Sequence, residues 1–320
     1  MTSHMLEIVE KFADKNVVVI GDVMVDRYLY GKTTRISQEA PVPIVHYQDQ
    51  EFRLGGAAHV ALNLKMLGAS VTLSGVYGED AEGDWLEQIL KKLGIENGCV
   101  QTDETDTIVK MRVISNGAQV CRIDWEKERE NYNKIHDVQF LLDSGGQDAI
   151  FISDYDKGTV SFRLMEKVRE SDVAFFCDPK SRNLEKYAGA AGITPNKLEV
   201  DQFLFEYIFD PDQFPDCPMF LEAVKAFGIE SVLLTKGEDG VSFWEAGMDE
   251  PMCLPGHYKE IADSCGAGDT AFAVYGLSKT CGASTAEAAA MANLAASLVV
   301  EKQGVAPITL LSLVRALSGG

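Results

Sequence analysis

The feature that most constrains the fold is an alternation of short β-branched runs with amphipathic stretches. Each apolar run ends in Gly, Asp, Ser or Thr, and the runs cover residues 17–20, 70–76, 149–153, 173–178 and 231–235. This alternation is typical of βαβ units. We therefore predict an α/β fold with a mostly parallel central sheet.

Polar residues follow several of these runs directly. Asp22, Asp154, Asp178 and Thr235 stand at or just after strand ends. Ligands of open α/β sheets bind outside the carboxyl ends of the strands. We therefore expect these side chains to form one functional rim.

A second, smaller β-layer is indicated where the hydrophobic pattern of the sequence changes. Residues 41–47 and 108–124 alternate with period two, and Asn116-Gly117 between two such runs is a strong hairpin signal. We predict one domain over residues 1–320, with strands of a lid at about 28–54 and 107–125. Such a lid would exclude water from a reaction centre.

Composition excludes several classes of function. The net charge of -20 is unfavourable for a nucleic-acid partner, which needs basic patches. The apolar stretch 286–300 contains Asn293 and is too short to cross a membrane. The seven cysteines include no C-x-x-C pair, and the start of the chain has no secretory pattern, so we expect a cytoplasmic protein with reduced thiols and no structural zinc.

The segment 263–270, Asp-Ser-Cys-Gly-Ala-Gly-Asp-Thr, carries the strongest chemical signal. Two glycines let the backbone approach a phosphate, and the N–H groups of a following helix stabilise an anion. Asp269 beside them can take a proton from an attacking hydroxyl. Alternatively, Asp269 or Ser264 only caps a helix. The spacing matches neither a Walker loop nor a dinucleotide fingerprint.

This segment resembles the C-terminal signature of the ribokinase-like (PfkB) family of sugar kinases, D-x-x-G-A-G-D. The N-terminal signature of that family, a paired glycine that opens a helix, is similar to residues 55–68. The resemblance implies a three-layer ribokinase-like fold with a small β-sheet lid, and ATP with Mg²⁺ as cofactors. It leaves a monovalent cation requirement open.

Within this family the chain is most similar to the D-glycero-D-manno-heptose-7-phosphate kinases. The segments that carry the similarity are 21–28, 35–43, 153–158, 178–180 and 194–199. They imply transfer of phosphate to the anomeric hydroxyl, which gives the 1,7-bisphosphate for ADP-heptose biosynthesis. A kinase of another sugar, or a catalytically silent sugar-binding protein on the same fold, stays an alternative.

The resemblance also implies roles for single residues. Asp269 would be the general base, and Gly266, Ala267 and Gly268 would form an anion hole. Asn196 and Glu199 would hold Mg²⁺ and the nucleotide phosphates, although their spacing also fits a helix cap. The remaining nucleotide contacts would come from Lys197, Leu198, Thr235, Lys236, Gly237, Gly240 and Asn293.

The sugar phosphate would be bound by a further set. Lys110 and Arg112 share one strand face and could meet its phosphate, or they form a solvated face. His59 stands where these kinases usually carry Asn, so it either alters acceptor choice or packs in a helix. The expected substrate residues are Asp22, Asp26, Gly55, Gly56, His59, Lys110, Arg112, Arg122, Asp154 and Lys157, with Lys180 a lesser candidate.

Two expectations concern assembly and product. Exposed edges of a small β-layer are normally covered or paired, so we expect a homodimer built through the lid strands. Only helix-like segments follow Asp269, and a second α/β domain needs far more chain, so we expect the bisphosphate and not ADP-heptose as product.

Overall fold

The structure is a computed structural model that describes residues 2–126, 138–180, 183–205, 218–257, 265–301, 304 and 306–319. Its strands are β1 Asn16–Gly21, β2 Val23–Ile36, β3 Pro43–Gly56, β4 Ser70–Ser74, β5 Val76–Gly78, β6 Glu96–Asn97, β7 Val100–Thr102, β8 Ile108–Ser115, β9 Ala118–Trp125, β10 Ala149–Ser153, β11 Phe175–Asp178, β12 Gly192–Ile193, β13 Ser231–Thr235, β14 Val241–Glu245 and β15 Met252–Leu254. Its helices are α1 Thr2–Glu10, α2 Ala57–Met66, α3 Ala81–Leu93, α4 Gln139–Asp143, α5 Phe162–Glu170, α6 Lys197–Phe205, α7 Pro218–Ala226, α8 Ala267–Thr280, α9 Thr285–Val300 and α10 Leu310–Leu317.

A large sheet forms the centre of the molecule. Its order is β15-β14-β13-β12-β11-β10-β1-β4-β6, and all neighbours from β6 to β13 pair in parallel. Only β14 and β15 are antiparallel. Parallel strands covered on both faces are continuous apolar runs, which is why the runs in the sequence located them. The predicted α/β fold is confirmed.

Helices cover both faces of this sheet. In β1, Val17 and Val19 pack into one core, whereas Val18 and Ile20 pack into another, because successive side chains point to opposite faces. The first core is completed by α1, α2, α3, α8, α9 and α10, and the second by α4 to α7. The three layers are therefore as predicted.

Two helices rich in small residues, α8 and α9, follow the signature segment. Ser284 caps α9, and Glu287 completes a capping box with it. Small residues let α8 approach the sheet, since a Cβ on Gly276 would lie 2.4 Å from the ring of Phe151. Within the described ranges, no helix has the length and apolarity needed to cross a bilayer.

A separate four-stranded sheet, here called the lid sheet, has the order β3-β2-β8-β9. β8 and β9 join through Asn116-Gly117, both with positive φ, so the predicted hairpin is confirmed. β2 begins at Val23, earlier than the predicted start near residue 28, and follows β1 after the single residue Asp22. The alternation at residues 41–47 covers only the first part of β3, because charged residues along this strand interrupt the period of two.

Candidate active site

A cavity of about 200 Å³ opens at the carboxyl end of the central sheet. Loops after β10, β11, β12 and β13 meet the first turn of α8 there. Its lining residues are Tyr155, Asp178, Lys180, Thr194, Asn196, Glu199, Thr235, Gly266, Gly268 and Asp269. The expected rim therefore exists, and two of its four predicted members, Asp178 and Thr235, face the cavity.

The first turn of α8 presents to this cavity backbone donors that have no partner within the helix. Gly266 caps the helix at a φ of 80°, a left-handed conformation that favours glycine. The first helical hydrogen bond runs from Thr270 N–H to Gly266 C=O, so the N–H groups of residues 267–269 have no partner inside the helix. A Cβ on Gly268 would meet no described atom within 4 Å. This turn can accept an anion.

Asp269 lies in the same turn, with only 7 % of its surface exposed. The Tyr155 hydroxyl donates to its Oδ1 at 2.7 Å, and His59 Nδ1 lies 3.0 Å from its Oδ2. Burial opposes ionisation, but the hydrogen bonds from His59 and Tyr155 favour it, as does the nearby charge of Lys180, and the pKa of Asp269 is lowered. The carboxylate is therefore ionised at neutral pH and can accept a proton.

Asn196 and Glu199 form a cap at the start of α6. Glu199 N–H donates to Asn196 Oδ1 at 3.0 Å, and Asn196 N–H donates back to Glu199 Oε2 at 2.8 Å. Glu199 Oε1 also pairs with the Lys180 ammonium. Capping and cavity lining coexist here, because both residues still border the cavity.

Negative charge accumulates in the cavity. Asp178 accepts a hydrogen bond from the Thr194 hydroxyl at 3.1 Å. Burial raises the pKa of Asp178 to about 7, with Lys180 opposing the rise and the carboxylates of Glu199 and Asp269 adding to it. Such a site is suited to a cation.

The predicted nucleotide residues divide into two groups. Lys236 N–H donates to Gly240 C=O at 2.9 Å, and Gly240 lies against Pro255. Asn293 Nδ2 donates to Pro255 C=O at 2.8 Å, while its buried Oδ1 has no hydrogen-bond partner in the described part of the chain. Gly237 borders open space beside them. By contrast, Lys197 and Leu198 are exposed on α6 and do not line the cavity.

The inner face of the lid sheet holds the predicted phosphate contacts. Arg112 forms a buried ion pair with Asp26, whose other carboxylate oxygen lies against Gly55. Lys110 Nζ lies 4.9 Å from the ring centre of Tyr155, which joins the lid sheet to the cavity. Arg122 stands opposite Arg112 but is exposed and pairs with Asp124.

The structure gives two predicted sugar ligands another role. Asp22 is 0 % exposed, and its carboxylate accepts backbone N–H groups of Tyr155, Lys157 and Thr159 at 2.8, 3.1 and 3.1 Å. Asp154 is also fully buried and pairs with the Lys186 ammonium at 2.6 Å. Both carboxylates are engaged by these contacts, underneath the loop that follows β10. They hold that loop instead of facing the cavity.

Other predicted residues also have contacts that differ from those expected. Lys157 Nζ pairs with Glu126 at 2.7 Å, outside the cavity lining. His59 contacts Asp269 instead of open acceptor space. Gly56 has a φ of 54° at the start of α2. Asp263 and Ser264 of the signature lie outside the described residues.

Sequence reasoning did not assign Tyr155 or Thr194 to the site. The strand-end rule points to Asp154, directly after β10. The side chain that lines the cavity belongs to the next residue, Tyr155. Thr194 follows β12, whose two residues are too few to form a recognisable apolar run. The tyrosine hydroxyl nonetheless makes the shortest hydrogen bond to Asp269.

Comparison with known proteins gives a consistent result. The family described as pfkB family carbohydrate kinase matches residues 14–310. "Bifunctional protein HldE" from Vibrio parahaemolyticus is 37% identical over 98% of this chain and 66% of its own length. The protein of the same name from Coxiella burnetii is 38% identical over 94% of this chain and 63% of its own. The chain thus spans just under two thirds of these relatives.

Solved structures agree in fold. Arabidopsis thaliana ribokinase, complexed with ribose and ATP, superimposes with a TM-score of 0.73 at 18% identity. The alignment covers 94% of this chain and 99% of the ribokinase. At this identity the similarity establishes the ribokinase-like fold alone.

Proposed function

The chain belongs to the pfkB family of carbohydrate kinases, and we propose that within it this protein transfers the γ-phosphoryl group of ATP to the anomeric hydroxyl of D-glycero-D-manno-heptose 7-phosphate. The product would be the 1,7-bisphosphate, for ADP-heptose biosynthesis. One observation carries the proposal: an ionised, buried carboxylate, Asp269, stands among N–H groups at a helix start that have no partner within the helix. The identity of the sugar is inferred from the segments that resemble those of heptose-phosphate kinases.

Asp269 acts as the general base. It accepts the proton of the attacking hydroxyl while the N–H groups of residues 267–269 stabilise negative charge on the transferring phosphoryl group. Tyr155 fixes one carboxylate oxygen. The loop that carries Tyr155 is held by Asp22 from below, so Asp22 contributes by position.

The cavity's donor set fits ATP with Mg²⁺. Carboxylate and amide oxygens of Asn196 and Glu199 are hard ligands, which Mg²⁺ prefers. In the described ranges no cluster of three or more His, Cys, Asp or Glu forms a metal cage. This fits an ion that keeps waters and is shared with phosphates. When bound, Mg²⁺ would neutralise charge on the phosphates. Asn293 Oδ1, which has no hydrogen-bond partner among the described residues, and the open Gly237 support a nucleotide beside them.

The sugar phosphate is proposed to lie between the cavity and the inner face of the lid sheet. Asp26 and Gly55 would receive sugar hydroxyls. Arg112, and Lys110 beside it, would meet the existing phosphate. Burial lowers the pKa of Lys110, and the carboxylates of Asp26 and Asp124 oppose this, so a second anion nearby would favour its charged form.

Arg112→Ala is expected to raise KM for the sugar phosphate by about tenfold or more, with a smaller effect on kcat. A charge pair with the non-reacting phosphate is made equally in ground and transition states. Steady-state kinetics at varied sugar phosphate measures this, with Arg122→Ala on the exposed opposite position as the matched control. If KM stays unchanged in Arg112→Ala, Arg112 does not bind the phosphate and its role is limited to the ion pair with Asp26.

The chain is proposed to be a single kinase domain that dimerises through the lid sheet. A groove of about 360 Å³ beside this sheet is lined by the apolar side chains of Val109, Met111, Ile123 and Trp125 and by charged or polar side chains from Arg27, Asp80, Glu82, Asp106 and Thr107. Ile123 and Trp125 are exposed, and large apolar patches of this kind mark interaction surfaces.

Light scattering is expected to give a dimer mass, and Trp125→Asp is expected to shift it toward the monomer, because a charge would be buried against apolar surface. Phe162→Asp, at an exposed apolar residue on α5, is the matched control and should leave the mass unchanged. A monomer mass for the unmodified protein at working concentration would contradict the dimer.

The proposed reaction is tested by ADP release with ATP, Mg²⁺ and a panel of acceptors. Turnover with heptose 7-phosphate, and a bisphosphate product by mass spectrometry, is the expected result. Turnover only with a free pentose or hexose would instead indicate a kinase of another sugar. Sugar binding without ADP release would indicate a silent binding protein.

A further inference from the structure

His59 of α2 lies directly against the proposed base, although far from it in sequence. The imidazole is 1 % exposed, and its Nδ1 lies 3.0 Å from Asp269 Oδ2. The other oxygen of that carboxylate, Oδ1, accepts the Tyr155 hydroxyl at 2.7 Å. Each oxygen of the carboxylate thus has its own donor, and together they fix the plane of the group.

The far side of the imidazole is also occupied, by Asn63 one helical turn further along α2. Asn63 Oδ1 accepts the backbone N–H of Ile308 at 2.9 Å, so its Nδ2 faces His59 Nε2, 3.5 Å away. An amide nitrogen can only donate, so Nε2 must accept and carries no proton. In a neutral imidazole the proton then stands on Nδ1, directed at Asp269.

We propose that His59 is a positioning residue for Asp269: Asn63 holds the neutral imidazole as its Nδ1–H tautomer, and this N–H keeps Oδ2 of Asp269 oriented and unprotonated. The inference rests on the proposed function in one respect, since Asp269 is the base there. A proton taken by Asp269 would stay on the carboxyl. His59 itself needs no change of protonation.

Other groups around Asp269 also affect its pKa, some by lowering it and others by raising it. From the loop after β10 the Tyr155 hydroxyl donates to it, and from the end of β11 the Lys180 ammonium attracts its charge. Asp178, at the same strand end, repels it. His59 supplies the only donor from α2 in the described residues, and its hydrogen bond is the largest of the causes that lower the pKa of Asp269. Its removal would therefore favour protonation of the base as pH falls.

The direct test compares the pH dependence of turnover in His59→Ala and His59→Asn. The amide nitrogen of Asn occupies about the position of Nδ1, so His59→Asn restores a donor, whereas His59→Ala does not. His4→Asn is the matched control, because it also removes a contact between a His Nδ1 and a carboxylate, Glu287 Oε1 at 2.7 Å, but on the surface. Turnover is divided by that of the unmodified enzyme at each pH, which cancels titration of the substrate phosphates.

For His59→Ala we expect this ratio to fall by about tenfold or more between about pH 8 and about pH 5.5. KM for ATP should stay unchanged, and the ratio should stay nearly flat for His59→Asn and His4→Asn. A loss in His59→Ala that is the same at every pH, or an equal slope for His59→Asn, would overturn the proposal and leave His59 as a packing residue.

Nuclear magnetic resonance of ¹⁵N-histidine protein provides a readout that does not depend on turnover. The chain has five histidines, so the signal absent in His59→Ala identifies His59. A neutral Nδ1–H tautomer that is altered in Asp269→Asn supports the contact, and an Nε2–H tautomer or an imidazolium contradicts it. If no acceptor is phosphorylated but this tautomer is found, the proposed function fails and the His59 contact stands.

Discussion

Asp269→Asn should lower kcat by about a hundredfold or more while ATP affinity stays nearly unchanged. The Asn side chain has almost the shape of the Asp side chain, so His59 and Tyr155 should still pack against residue 269. The amide cannot take a proton from the attacking hydroxyl. The backbone N–H groups of residues 267–269 remain in place, so phosphate binding should survive.

The measurement is single-turnover and steady-state kinetics with heptose 7-phosphate, together with ATP binding by calorimetry. Asp84→Asn is the matched control, because Asp84 is also a carboxylate in the first turn of a helix, α3, but is exposed. It should leave kcat unchanged. A kcat of Asp269→Asn close to that of the unmodified enzyme, in a folded protein, would remove this residue from the chemical step.

Asp22→Ala should destabilise the protein by about 3 kcal/mol or more, because it leaves three backbone N–H groups without their acceptor, two of them partly buried and the third buried. The same change should lower kcat, since the freed loop carries Tyr155. It should not raise KM for the sugar phosphate selectively.

Urea unfolding and kinetics of the same preparation measure both effects. Asp103→Ala, at an exposed carboxylate, is the control and should change stability by less than about 0.5 kcal/mol. If Asp22→Ala kept its stability and only its KM for the sugar phosphate rose, Asp22 would be a sugar ligand after all.

The fold followed from local patterns because parallel strands buried on both faces must be apolar throughout. The hairpin at Asn116-Gly117 followed for a similar reason, since positive φ at two adjacent residues demands such a pair. β12 did not follow, because two residues carry no pattern. Its position is set by its neighbours β11 and β13, and only tertiary structure supplies those.

The candidate site was only partly predictable. A strand end locates a residue at the edge of the sheet, but the path of the next loop decides which side chains face the cavity. After β10 the loop folds over Asp22 and Asp154, so their carboxylates became its support, and Tyr155 reached the cavity instead. The contact of His59 with Asp269 spans most of the chain, so no local pattern could have indicated it.

The lid sheet departs from the body of the protein and returns to it at one place. Asp22 alone separates β1 from β2, its carbonyl accepts Ala57 N–H at 3.0 Å, and Gly56 pairs with Val23 where β3 ends. Beyond this fixed base β2 and β3 extend for 14 residues each. Changes in the length or charge of the far tip therefore leave Asp269 undisturbed. The proposed acceptor contacts Asp26 and Gly55 lie close to the same base, so the free end of the lid sheet can vary in length or charge without a change in acceptor binding or in phosphoryl transfer.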